Sequence, residues 1–215
     1  ATIKTLLDIL MIFSRNDLKS EIIKEIDRHV KVFSQMSESQ NVDKEKLRTI
    51  LSNLNSMSKK LYANTNKIGS NVMSSDLFQS ISQRSAIPGG TCSFDLPAFH
   101  YWLEKDSFNQ RNDLEQWVKP FDEIRNAIDT LLDFMRNSGH SSQEVAEAGF
   151  FQLTLDSNQP YQLLRVKLAH TLPYFAETSG GKHRFTIRMM SPSNDNSRPV
   201  QTQNNVPFEL TCCIL

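Results

Sequence analysis

The sequence predicts an α+β protein, with an N-terminal α-helical domain followed by a C-terminal antiparallel β-sheet domain. Three observations carry that prediction. Apolar residues recur at helical spacing from Ile3 to Met135, the period changes from 3.6 to 2 after Gly139, and the segments of period 2 pair one apolar with one polar face. The domains are therefore expected over residues 1–140 and 141–215. At 215 residues the chain is long enough for a buried core without disulfides or metals to staple it.

In the helical part, Ile3, Leu6, Leu7, Leu10 and Phe13 form a first apolar stripe, and Leu18, Ile22, Ile26, Val30 and Phe33 form a second. Asn16 is the expected N-cap between them, with Asp17 in the first turn. Asp43 opens a third helix whose stripe is Leu47, Ile50, Leu51, Leu54, Met57 and Leu61. The Asn- and Ser-rich residues 63–75 read as a connector, Leu77 to Ser85 as a short helix, and Pro88-Gly89-Gly90 as a turn. A further helix starts near Asp95, with Pro97 in its first turn where a missing N–H costs nothing, and sets Phe99, Trp102 and Leu103 against the core. The last stripe runs from Leu114 through Trp117, Phe121, Ile124, Ile128, Leu131 and Leu132 to Met135, interrupted by Pro120 and closed by Gly139.

Four strands follow, centred on Phe151 to Leu155, Leu164 to Leu168, Phe185 to Met189 and Val206 to Cys212, with Ser191 to Asn205 as a long hairpin loop. Strand side chains alternate in facing, so Arg165 shares a wet face with Lys167, and Arg184 shares one with Arg188. If the strands are neighbours, one surface gathers these cations. The window from Tyr161 to Met190 holds five Lys or Arg against one acid, Glu177. Such a surface suits an anionic partner, and the Arg fork suits a carboxylate.

Composition excludes several classes. Lys plus Arg and Asp plus Glu are both 24, so the global basic excess of a general duplex binder is missing. The longest apolar run, Ile9 to Phe13, is far too short to cross a membrane. Three cysteines make a disulfide framework unexpected and a reducing cytoplasm the natural setting. No signal peptide is recognisable, and the chain starts inside a helical pattern, which predicts that its true N-terminus is missing. Cys92 with His100 allows a thiol nucleophile and base in principle, but a structural thiol is the expectation. Adjacent strand residues Cys212 and Cys213 face opposite ways and do not share a zinc. Asp122 and Glu123 read as an exposed helix pair. No catalytic residue, metal or cofactor is expected, and the chain does not read as an enzyme.

The run from Arg84 through Pro88-Gly89-Gly90, Cys92 and Leu96-Pro97-Ala98-Phe99-His100 to Leu103 resembles the central signature of the ZapD family of Z-ring-associated cell-division proteins. Arg184-Phe-Thr-Ile-Arg188, Phe208-Glu-Leu-Thr-Cys-Cys213, Leu6-Leu-Asp-Ile-Leu10 and Ser14 to Glu21 resemble it as well, so the likeness covers the chain. It implies a cytoplasmic homodimer at the midcell division ring that binds the C-terminal tail of FtsZ and bundles its filaments. It implies a basic tail-binding groove containing Arg15, His100, Arg165, Arg184 and Arg188, with Lys167 and Lys182 beside them. The family begins with a segment ahead of this chain's start that carries further basic residues of that groove. Two rival readings remain beside this one, a thiol hydrolase built on Cys92 and His100 and a nucleic-acid module on the Arg-rich sheet. Against the second, the exposed strand faces are expected to lack the aromatics on which single strands stack.

Overall fold

The computed structural model describes residues 2–15, 17–38, 42–193 and 197–214. The chain divides into two compact units, Ala1–Thr130 and Leu131–Leu215.

The first unit is helical. It contains α1 (Thr2–Arg15), α2 (Leu18–Met36), α3 (Lys44–Ala63), α4 (Ser70–Met73), α5 (Asp76–Arg84), α6 (Pro97–Leu103), α7 (Ser107–Val118), a 3-10 turn at Lys119–Phe121 and the start of α8 (Asp122–Asn137). Ile3, Leu6, Leu7 and Leu10 are buried as their spacing requires, and Leu47, Leu54 and Leu61 anchor α3. Pro120 stops α7 by withdrawing an N–H, and the 3-10 turn restarts the chain as α8. Trp117 joins α5 to α6, with its ring 4.7 Å from Phe78 and 5.3 Å from Trp102 between centroids.

Several local expectations are corrected. Asp17 is itself the N-cap of α2, its carboxylate accepting from Ser20 N, because the helix opens one residue later than expected; Asn16 lies outside the described residues. The buried face of α2 runs through Ile23, Ile26, His29 and Phe33, one position round from the apolar stripe, so that a histidine takes a core place. The connector contains α4, whose preceding Gly69 adopts φ 74° under Leu10 and Phe121, a spot where a Cβ would collide with both. Leu103 is 48% exposed, since α6 ends there; Trp102 is buried, with the half-buried Phe99 stacked on it.

The second unit is built from β-sheet, with the strands β1 (His140–Ala146), β2 (Phe150–Thr154), β3 (Tyr161–Lys167), β4 (Phe175–Gly180), β5 (Arg184–Ser191), β6 (Val200–Gln201) and β7 (Val206–Ile214). They form two antiparallel sheets instead of one: β1-β7-β3, and β2-β5-β4 with β6 extending the pairing of β5. Their inner faces meet in one core of Ala146, Phe185, Ile187, Met189, Val206, Phe208 and Leu210. β1 and β4 escaped prediction because they are edge strands, largely exposed and rich in Ser, Gln, Glu and Thr, and so carry little apolar alternation.

Candidate functional site

The two-sheet arrangement separates the cations that would share one surface if their strands were neighbours. β3 and β5 are not neighbours; each lies in a different sheet. Leu164 and Val166 turn into the core, so Arg165 and Lys167 face outward from the first sheet. Phe185, Ile187 and Met189 turn into the same core from the other side, so Arg184 and Arg188 face outward from the second. The two pairs therefore occupy opposite outer faces of the unit.

These faces differ in how their charges are used. In the first sheet, Lys167 stands across from Glu209 and pairs with it at 3.5 Å, and Arg165 Nη2 donates to Thr211 Oγ1 at 3.4 Å. In the second, Lys182, Arg184 and Arg188 have no carboxylate within ion-pair distance among the described residues, although Glu177 occupies the position across from Arg188. Lys182 and Arg184 line a shallow cavity of about 440 Å³ with Gln152, Ser179, His183 and Thr186.

The backbone holds this face firmly. The β4–β5 hairpin closes with Gly181 N donating to Arg184 O, and Leu155 N donates to His183 O, tying the loop that carries Lys182 to the chain beyond β2. Ala148 and Gly149, both at positive φ, make the tight turn that leads from β1 into β2. A Cβ on Gly149 would meet Thr202 O at 2.4 Å, so glycine is needed there. Asn205 Oδ1 accepts from Ala148 N, and Gln201 Nε2 donates to Ala148 O, which pins the turn in place.

Sequence reasoning missed two residues of this face. Phe150 is the cross-strand partner of Arg188, and Phe175 is the partner of Met190. Partners across an antiparallel pair share a face. The rings are 40% and 39% exposed. The expectation that the exposed strand faces lack aromatics is thus corrected. The available signal was the doubled Phe150-Phe151, one ring of which must point away from the core.

Arg15 ends α1 and His100 lies exposed on α6, both in the first unit; the Arg15 side chain lies outside the described residues. Cys92 Sγ donates to Asp95 Oδ2 at 3.4 Å. Asp95 also pairs with Arg84 at 3.3 Å. Cys213 is buried and Cys212 half-buried, with burial pushing the Cys212 thiol pKa up. Among the described residues, no group of three or more His, Cys, Asp or Glu side chains could hold a metal ion, and no helix is long and apolar enough to cross a membrane.

The model of the ZapD cell division protein family matches residues 1–188. The chain belongs to the ZapD family. It is 44% identical to the cell division protein ZapD of Methylococcus capsulatus over 215 residues, covering 84% of that protein. The ZapD proteins of Azoarcus sp. and Nitrosomonas europaea are each 34% identical to it, over 98% and 100% of this chain and 83% and 81% of their own lengths. Membership of ZapD assigns the chain a role in cell division.

Proposed function

We propose that this ZapD chain binds the acidic C-terminal tail of FtsZ and, as a homodimer at the midcell ring, cross-links FtsZ filaments. The observation that carries the reading is the set of cations Lys182, Arg184 and Arg188, on β5 and the hairpin loop that leads into it, which have no carboxylate within ion-pair distance among the described residues. A carboxylate arriving there gains charge-assisted hydrogen bonds without first displacing a partner. The family resemblance adds Arg15 and His100 to the binding set; Arg165 and Lys167, which it also names, are engaged by Thr211 and Glu209 on the opposite outer face and stand outside the site in this reading. A two-fold dimer repeats the face, and the second tail is captured from a filament already held close.

The test is fluorescence anisotropy of a labelled FtsZ tail peptide against the chain and against Arg184→Glu/Arg188→Glu. Binding is expected to be lost in the variant while its melting temperature stays near that of the wild type, since exposed changes usually move stability by about 0.5 kcal/mol or less. Normal peptide binding by the folded variant would overturn the assignment. Light scattering of FtsZ polymers with the wild type then reads cross-linking.

A further inference from the structure

Phe150 and Phe175 present a question that the cations leave open. A single exposed aromatic on a protein surface is ordinary. Here two stand on the same outward face, in strands whose alternate residues already fill the core, and they flank an arginine with no carboxylate in ion-pair reach among the described residues. Phe150 lies directly beside Arg188, about 5 Å away across the strands, and Phe175 lies one strand over on the other side and about 7 Å further along. Met190, the partner of Phe175, is buried beside it at that end of the face. Both rings are carried on backbone that cannot easily move, Phe150 by the pinned turn at Ala148 and Gly149 and Phe175 by its ladder to β5.

We infer that Phe150 and Phe175 are the apolar anchors of the peptide site, so that the face selects an extended segment pairing carboxylates over Arg184 and Arg188 with an apolar side chain next to them. This rests on the tail-binding reading above and specifies its ligand chemistry. Arg184 and Arg188 are four residues apart on one strand, about 13 Å, so carboxylates four residues apart in an extended peptide match them. The apolar residue then falls beside Phe150 or one pleat beyond it, against Phe175. Exposed charges alone supply approach and register, whereas desolvated aromatic contacts supply the larger part of affinity in such sites. A single strand of nucleic acid is the competing occupant, since arginines and rings can also bind it. Glu177 opposes either ligand at Arg188, but a peptide sets a single carboxylate there whereas a nucleic-acid strand brings a continuous line of phosphates past it, so the face favours the peptide.

The experiment compares two synthetic labelled peptides, one with Asp four residues apart and a Leu two residues beyond, the other with Ser in place of Leu, together with the FtsZ tail and a labelled oligothymidylate. Each is titrated by anisotropy against the full chain, Phe150→Ser/Phe175→Ser, Phe150→Leu/Phe175→Leu and Arg184→Glu/Arg188→Glu. The Ser variant should weaken the Leu peptide and the tail about tenfold, should leave the Ser peptide unchanged, and should be largely rescued by the Leu variant. Wild-type affinity of the Ser variant for the Leu peptide and the tail, with loss only in the Glu variant, would overturn the aromatic anchors and leave the tail reading standing. Unchanged tail binding in the Glu variant would overturn the tail reading itself. Oligothymidylate bound more tightly than the peptides, and released by the Ser variant, would make the rings a base platform and overturn the peptide assignment. The Leu variant separates loss of contact from loss of fold, because it keeps the apolar surface.

Discussion

Glu177 stands directly across β4–β5 from Arg188 on the outward face of the second sheet, and no ion pair joins them. It is the one acid on that face among the described residues of β2, β4 and β5. An anionic ligand over Arg188 must approach it. Glu177→Gln should therefore strengthen binding of the FtsZ tail peptide about two- to fivefold, with the gain concentrated at low salt where screening is weak. Isothermal titration at two ionic strengths reads it; a weaker complex would mean that Glu177 accepts a hydrogen bond from the ligand.

The opposite outer face supplies a control of the same charge. Arg165 and Lys167 are already engaged by Thr211 and Glu209. Replacing both with Ala should change peptide affinity less than about threefold, against near-complete loss for Arg184→Glu/Arg188→Glu. Equal losses from the two double variants would show that the ligand wraps both sheets.

This difference between the faces marks what could be read from the sequence. Periodicity disclosed the α+β class and the strands β2, β3, β5 and β7, because each sends large apolar side chains into one core at period 2. It disclosed that Arg184 and Arg188 point outward, since facing follows from parity alone. Sheet membership is different in kind. It depends on long-range pairing, and the polar edge strands β1 and β4 that complete the two sheets have little apolar signature of their own. Without β4, neither Glu177 nor Phe175 could be placed beside the arginines. His29 escaped for a related reason: apolar counting skips a histidine, while its helix turns that position into the core.

Trp102 and Asp113 make a second testable pair. The indole Nε1 of the buried Trp102 donates to Asp113 Oδ2 at 2.9 Å, and Lys105 Nζ donates to the same oxygen at 3.1 Å. Lys105 first and Trp102 second hold the Asp113 carboxyl below its ordinary range. Asp113→Ala leaves the indole N–H without its acceptor and should cost about 1–3 kcal/mol in urea unfolding. Asp113→Asn retains an acceptor for the indole and should cost less. If Asn proved as damaging as Ala, the charge of Lys105 rather than the indole bond would govern stability here.

His29 gives the helical unit a pH dependence whose sign follows from burial. Its side chain is inaccessible on α2, with Nδ1 2.8 Å from Glu25 O and its ring against Phe33. Burial is the leading cause that lowers its pKa below the ordinary histidine value; Arg28 lowers it further, while Glu25 acts the other way. The unfolded chain therefore binds a proton more readily than the folded one as pH falls through about 6.5, and unfolding takes up that proton. The stability contribution is present above that pH and is lost as pH falls from there toward the folded pKa, with a slope of at most about 1.4 kcal/mol per pH unit for one site. Glu25, held below the ordinary carboxylate range chiefly by Arg28, acts in a separate and more acidic window, so the two steps can be distinguished. Urea unfolding of the wild type from pH 8 to pH 5 should show this decline, and His29→Leu, which fills the same apolar place with a group that does not titrate, should flatten it. A His29→Leu profile as steep as the wild type between pH 6.5 and pH 5 would assign the proton uptake to another of the chain's five histidines.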